Sequence, residues 1–214
     1  MKKRLVHISG SDFIKGILDS QSIIMMQYLN KVGWQTNMVS FIEYNDIDHD
    51  IIKTRTRDIE SRINGHLILI PRLPIISGMK RYNKLLSQAF NKLGIMPNDQ
   101  IIVHAENYLP SYLMLNFNNQ FPGFKLHADL KGAVPQESLW YDNRHFPSRL
   151  IRYVVSNIME KSICTKAISL SCVTENFRNY LSSRYQVNKD RFLVIPSCVD
   201  TDQFFINESN RKEI

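Results

Sequence analysis

With 214 residues, 43% hydrophobic content and a formal net charge of +7, the chain is sized for one globular domain with a real core and is drawn toward an anionic partner. Phospholipid, a diphosphate-bearing substrate or nucleic acid would each satisfy that charge, which does not choose among them. No run of about 18 apolar residues occurs, residues 67–76 being interrupted by Pro71, Arg72 and Pro74, so no membrane span is expected. The basic start Met1-Lys2-Lys3-Arg4 leads into an apolar stretch that ends at Ile8, which is too short for a secretory leader, and the expected location is the cytoplasm. Cys164, Cys172 and Cys198 form no C-x-x-C pair and lack histidines at metal-ligand spacing, so reduced thiols are expected, with no metal site and no disulfide framework.

Short β-rich runs at 5–9, 36–42, 67–70, 101–104, 124–128, 167–172 and 192–195 alternate with helical patterns, which predicts a doubly wound, Rossmann-like parallel sheet of about seven strands. After the first run, Ile17, Ile24, Met25, Tyr28, Leu29 and Val32 recur at near-helical spacing and Gly33 stops the helix. Ser77 can cap a second helix whose apolar stripe is Met79, Tyr82, Leu85, Leu86, Ala89, Phe90 and Leu93, closed by Gly94; its outer side carries Lys80, Arg81 and Lys84. A short helix is expected over 110–117, then a turn at Pro122-Gly123. A long helix should follow Pro147, with Leu150, Ile151, Val154, Val155, Ile158 and Met159 inward and Arg149, Arg152 and Lys161 outside. A last helix is expected over 176–185. One domain then runs over 1–204, with 205–214 as the start of a linker.

In an open parallel sheet, ligands gather at the carboxyl ends of the strands, where strand order reverses. The first such loop, Ser9-Gly10-Ser11-Asp12, has small residues that let backbone amides approach a phosphate or sugar, or that simply make a tight turn. It matches neither G-x-G-x-x-G nor Walker A, so NAD and ATP are not supported. Val103-His104-Ala105-Glu106-Asn107-Tyr108 packs an imidazole, a carboxylate and an amide at the fourth strand's end, which suits sugar hydroxyls; a satisfied structural histidine is the alternative. The fifth strand delivers His127 and Asp129 to one face, followed by Lys131, Gly132 and Glu137. That group could handle a proton or developing positive charge, with Gly132 allowing close backbone approach, or it could be a salt-bridged turn.

The segment Val194-Ile195-Pro196-Ser197-Cys198-Val199-Asp200-Thr201-Asp202-Gln203-Phe204 resembles the Ile-Pro-Asn-Gly-Val-Asp-x-x-x-Phe signature of family-four retaining GT-B glycosyltransferases, with Ser197-Cys198 in place of Asn-Gly. The segment from Asp129 to Glu137 resembles that family's Asp-x-Arg-Gly-x-x-Pro-Glu-Glu, with Lys131 for Arg and Gln136 for Glu. Lysine keeps the charge but loses the planar fork. Val173-Thr174-Glu175 is similar to the family's Val-Ser-Glu turn.

The resemblance implies the acceptor-side half of an enzyme that moves a sugar from a nucleotide-diphosphate donor to an acceptor hydroxyl, with retention, no metal and no cofactor, in surface glycan synthesis. It places Asp129 or His127 beside the reacting centre, His104, Glu106, Asn107, Tyr108, Lys131 and Glu137 around the acceptor, and Gly10 and Ser11 facing the donor diphosphate. The implied partners are a glycan or lipid-linked acceptor and a donor-binding domain, in cis or as a separate chain. A Glu-x(7)-Glu donor segment has no counterpart here, so transfer by this chain alone is not expected. Lys80, Arg81 and Lys84, with Arg149 and Arg152, could meet an anionic membrane surface, or be a solvated face. A non-catalytic acceptor-binding or membrane-docking subunit is the alternative. An oxidoreductase lacks its glycine fingerprint, and a nucleic-acid binder lacks a basic-aromatic motif.

Overall fold

The computed structural model describes residues 3–10, 13–14, 18–43, 48–96, 99–118, 123–141 and 145–197; Ser11, Ile17, Pro122 and the exit motif from Cys198 onward lie outside them. Seven strands, β1 (Arg4–Ser9), β2 (Gln35–Ile42), β3 (Leu67–Pro71), β4 (Ile101–Glu106), β5 (Phe124–Leu130), β6 (Ser169–Cys172) and β7 (Phe192–Val194), form one sheet. Every pairing is parallel and the order is β3-β2-β1-β4-β5-β6-β7. All seven expected runs are therefore strands of the expected doubly wound sheet. Strand order reverses between β1 and β4, the position at which such sheets open a crevice.

Between the strands run a π-helical turn (Leu18–Ile23), α1 (Ile24–Lys31), α2 (His49–Ile63), α3 (Ile75–Lys92), α4 (Tyr108–Phe117), α5 (Val134–Trp140), α6 (Phe146–Lys166) and α7 (Glu175–Tyr185). Two of them have no forerunner in the sequence reading. In α2 only Ile52, Ile59 and Ile63 are buried, too sparse a stripe to stand out; Asp48 caps its start by accepting from the Asp50 amide at 2.7 Å. In α5 a proline near the start turns the expected loop around Gln136 and Glu137 into a helix.

The first expected apolar stripe is also shifted. The π turn inserts extra residues, so Leu18, Ile23 and Met26 are buried while Tyr28 and Val32 are exposed. The second stripe holds, with Tyr82, Leu86, Ala89 and Phe90 buried, although α3 starts after Pro74, ahead of Ser77. Of the stripe expected to face inward on the long helix, Val155 and Met159 pack on the core, but Leu150, Ile151, Val154 and Ile158 are exposed; the buried face is instead Ser156, Met159, Glu160, Ile163 and Cys164. Arg149, expected outside, is half-buried and donates to the Leu139 carbonyl at 3.2 Å.

Two apolar layers hold the sheet. On one side Leu18, Ile23, Met26, Ile59 and Ile63 pack against Met38 and Ile42, covering the β2–β3 half. On the other, α3, α4, α6 and α7 pack on Val6, Val103, Ala105, Leu126, Ala128 and Leu170. The period of two along each strand then decides what lies opposite that second layer. In β4, β5 and β6 it is a polar row: His104 and Glu106, His127 and Asp129, Ser169 and Ser171.

Candidate functional site

The polar row runs across four neighbouring strands because their registers coincide. His7 pairs with His104, and His104 with His127, so the three imidazoles stack, with ring centroids 5.0 Å and 5.2 Å apart and interplanar angles of 20° and 14°. One residue pair further on, Glu106 sits beside Asp129, which sits beside Ser171. The π turn and α1 reach over part of this face.

Glu106 is the hub. It is fully buried, yet its Oε2 accepts from the hydroxyls of Ser9 (3.0 Å) and Ser22 (3.1 Å), and its Oε1 from the Lys131 ammonium at 2.5 Å. His7 Nε2 lies 3.4 Å from Oε2. Burial alone would raise the carboxyl's pKa, but the His7 and Lys131 contacts outweigh it and hold Glu106 far below the usual carboxylate range. Lys131 also donates to Gln21 Oε1 at 2.5 Å and stands 3.9 Å from Asp129 Oδ2. Asp129 Oδ1 accepts from the Ser171 hydroxyl at 2.6 Å.

The histidines carry a proton arrangement. His7 Nδ1 and His104 Nδ1 are 2.8 Å apart, so one must donate to the other. The Glu106 carboxylate beside His7 Nε2 favours a proton there, which makes His7 Nδ1 the acceptor and His104 Nδ1 the donor. His104 Nε2 is then the lone-pair nitrogen. Burial, then the neighbouring His7 and His127, hold the His104 pKa well below its usual value, so the ring is neutral at neutral pH. His127 is lowered by burial against the opposing pull of Asp129, and its nitrogens are occupied by the Ser169 and Ser171 hydroxyls at 2.8 Å and 2.9 Å.

A cavity of about 350 Å³ opens beside these groups, walled by Ser20, Gln21, Ser22, Ile24, Met25 and Tyr28 from the π turn and α1, with His104, Asp129, Lys131, Ser171 and Val173 opposite. Ile195, Pro196 and Ser197 complete it. The start of the exit motif is thus a wall of the pocket as well as the end of the last strand. The shift of the α1 stripe has a consequence in this geometry: Tyr28 turns from the expected core toward the cavity, and Met25 borders the cavity while still packing on the core. Nothing in the local sequence marks Gln21, Tyr28 or His7, because the π turn and α1 place the first two and register across strands places the third.

Of the expected site residues, the fold brings His104, Asp129 and Lys131 into the cavity lining. Glu106 is near but lies beneath it, holding Lys131. Others lie elsewhere. Tyr108 points into the core, its hydroxyl 2.9 Å from the Gly132 carbonyl and bonded to Glu160; burial, then Glu160, pushes its pKa far up. Glu137 is exposed on α5, outside the cavity lining, and its carboxylate stands over Gly132, where a Cβ would meet Oε1 at 2.7 Å. Asn107 is outside the lining; its backbone has φ 69° and ψ −178°, a glycine-like conformation, and its amide donates to the Asp129 carbonyl at 2.8 Å. At Gly10 a Cβ would be 3.0 Å from Pro110 Cγ, so close packing on α4 calls for glycine there. His127 is behind Asp129, bound to its two serines. Lys80, Arg81 and Lys84 are exposed on α3.

Among the described residues, no group of three or more His, Cys, Asp or Glu is placed to hold a metal ion, and no helix is long and apolar enough to cross a membrane. Cys164 and Cys172 are buried and unbridged, and burial, then Glu160, pushes the Cys164 thiol up to about 12.

No protein-family model and no curated protein matches the sequence. Solved structures do share its fold. A glycosyltransferase from Rickettsia africae ESF-5 superposes with a TM-score of 0.54 at 14% identity, over 99% of this chain and 48% of its own. The N-terminal domain of trehalose-6-phosphate phosphatase from Candida albicans does so with a TM-score of 0.53 at 12% identity, over 100% of this chain and 53% of its own. The chain thus spans about half the length of both. At these identities the likeness is one of architecture: the chain has a GT-B-like, Rossmann-type α/β fold, similar to half of a glycosyltransferase structure.

Proposed function

We propose that this chain is the acceptor-binding half of a retaining glycosyltransferase that moves a sugar from a nucleotide-diphosphate sugar to an acceptor hydroxyl in surface glycan synthesis. The observation that carries the reading is the cavity at the switch-point edge, in which an imidazole, a carboxylate, an ammonium and a hydroxyl converge opposite Met25 and Tyr28. Sugars present hydroxyls around an apolar ring face, and such a mixed lining suits both. The motif resemblance and the shared fold support it.

In this reading His104 Nε2 accepts a hydrogen bond from an acceptor hydroxyl, and Asp129 stabilises positive charge developing at the sugar or takes the hydroxyl proton. Lys131, held by Glu106, faces the leaving diphosphate or an anionic acceptor. The amides around Gly10 serve the donor side. Asn107, Tyr108 and Glu137 act only through positioning. The donor nucleotide is bound by a second domain, in cis or as a separate chain, and no metal or cofactor takes part. The acceptor is a glycan or lipid-linked glycan met at an anionic membrane surface from the cytoplasmic side.

The test is saturation-transfer NMR of this chain with methyl glycosides, UDP- and GDP-sugars, NAD and a short duplex DNA. Millimolar binding of glycosides, lost in Asp129→Ala and in His104→Ala while the fold persists, is expected. Binding of NAD or DNA with no glycoside binding would overturn the reading.

A further inference from the structure

The second apolar surface lies away from the pocket lining. Trp140, Tyr141, Phe146, Leu150, Ile151, Val154 and Ile158 are each between 44% and 83% exposed, although they are large and follow one another on two adjoining helices. Scattered exposed hydrophobics are ordinary, but a contiguous set is not. Residues 146, 150, 154 and 158 recur every four positions, so they form one stripe along α6. They stand free because they lie on the face of α6 opposite its buried residues Ser156, Met159, Glu160 and Ile163, and length adds to this. A helix of 21 residues extends about 31 Å, whereas a strand of 7 residues covers about 23 Å. Its buried residues, Ser156 to Cys164, occupy the C-terminal part, so the N-terminal turns overhang the sheet. In a parallel β-α-β crossover that overhang lies at the carboxyl edge of the strands, the edge that holds the cavity.

We infer that the overhanging end of α6, with the end of α5, is a docking surface for an anionic lipid bilayer. The charges choose this occupant. The only acidic residue of α6 is Glu160, which is buried, while Arg152 and Lys161 are exposed and Arg149 lies over the Phe146 ring at 5.7 Å. A second copy placed on the same stripe would set these cations against their own counterparts, whereas lipid phosphates would meet them favourably. Aromatic side chains at the end of an aliphatic stripe, flanked by arginine, are the composition of a helix lying in a membrane interface. Docking there would present the cavity edge to the bilayer, which fits a lipid-linked acceptor; the docking itself does not depend on the sugar chemistry. It also moves the contact from the basic side of α3 to α6, two helices of the same layer with the buried α4 between them.

Trp34 and Trp140 are the only tryptophans, so Trp34→Phe leaves Trp140 as a reporter. Emission of Trp140 should shift to the blue with vesicles of 30% phosphatidylglycerol in phosphatidylcholine, and little with phosphatidylcholine alone. In co-sedimentation with the same vesicles, Ile151→Asp with Val154→Asp should weaken binding by about tenfold or more, since apolar burial is the larger contribution. Lys80→Glu with Arg81→Glu and Lys84→Glu should weaken it by only about two- to threefold. The exposed positions let the variants keep their melting temperature, which separates docking from folding. Vesicle binding that survives the α6 changes overturns the proposal, as does a dimer in ultracentrifugation that those changes dissociate. So does vesicle binding that disappears when a donor-binding domain is bound, which would assign the face to that domain.

Discussion

Among the described residues two glutamates are fully buried, and they are satisfied in opposite ways. Glu106, at the end of β4, is surrounded by Lys131, His7 and two serine hydroxyls; Glu160, inside α6, accepts from the hydroxyls of Tyr108 and, at 2.6 Å, Tyr185. The difference lies in their partners' freedom. Lys131 is a quarter exposed and reaches the cavity, so the Glu106 cluster ends in a cation that a ligand can meet. The Glu160 cluster ends in aromatic rings within the core and holds the Gly132 loop through Tyr108. One buried carboxylate serves a site and the other serves the fold.

The comparison is broken most strongly at Glu160. Replacing it by alanine removes an acceptor from two tyrosine hydroxyls, of which Tyr108 keeps the Gly132 carbonyl, and opens a cavity, which should cost about 3–5 kcal/mol in urea unfolding. Glu106→Gln should cost less, roughly 1–3 kcal/mol, because Lys131 can turn to water; its mark should be glycoside binding weakened about tenfold at unchanged melting cooperativity. If the two changes have equal effects on stability and none on binding, the distinction between them is wrong.

Acid sharpens the same contrast. The His104 pKa is depressed in the fold, so as pH drops below 6.5 the unfolded chain takes up the proton first and stability falls. The slope should approach about 1.4 kcal/mol per pH unit for each such histidine, and His104→Gln should remove its share between pH 6.5 and 5.5 in denaturant titrations. Glu106 adds a further loss below 4.5, where the unfolded carboxylate binds protons that the folded one refuses. The smallest effect is expected at Asn107, where glycine would relieve the positive φ of 69° and raise stability by about 1 kcal/mol, read as a higher urea midpoint.

Alternation and turn chemistry made the sheet legible. Runs such as Leu5 to Ser9 and Phe124 to Ala128 alternate with helix-length segments, and each run became a strand. Strand ends were less legible, because β4 and β5 continue through Glu106 and Asp129, whose polarity reads as loop while their backbones remain in register. Two stripes misled for different reasons. That of α1 was displaced by a π turn, which spacing arguments based on 3.6 residues do not allow for. That of α6 was real amphipathicity, but apolar periodicity says only that a face wants cover, not that the protein supplies it.

The sequence by itself determined the fold class, the strand set and the chemical types gathered at the carboxyl edge, since these follow from periodicity and local residue chemistry. It also singled out His104, Asp129 and Lys131, which the structure places in one cavity. The partners of those residues were decided only by tertiary structure. His7 is 97 positions from His104, and Gln21 is 110 from Lys131; only parallel register and the π turn bring them together. The same holds for Tyr108, which local order sets beside the site and which the α4–α6 packing turns into the core. Residue chemistry is local, whereas the direction a side chain faces depends on which neighbours bury it.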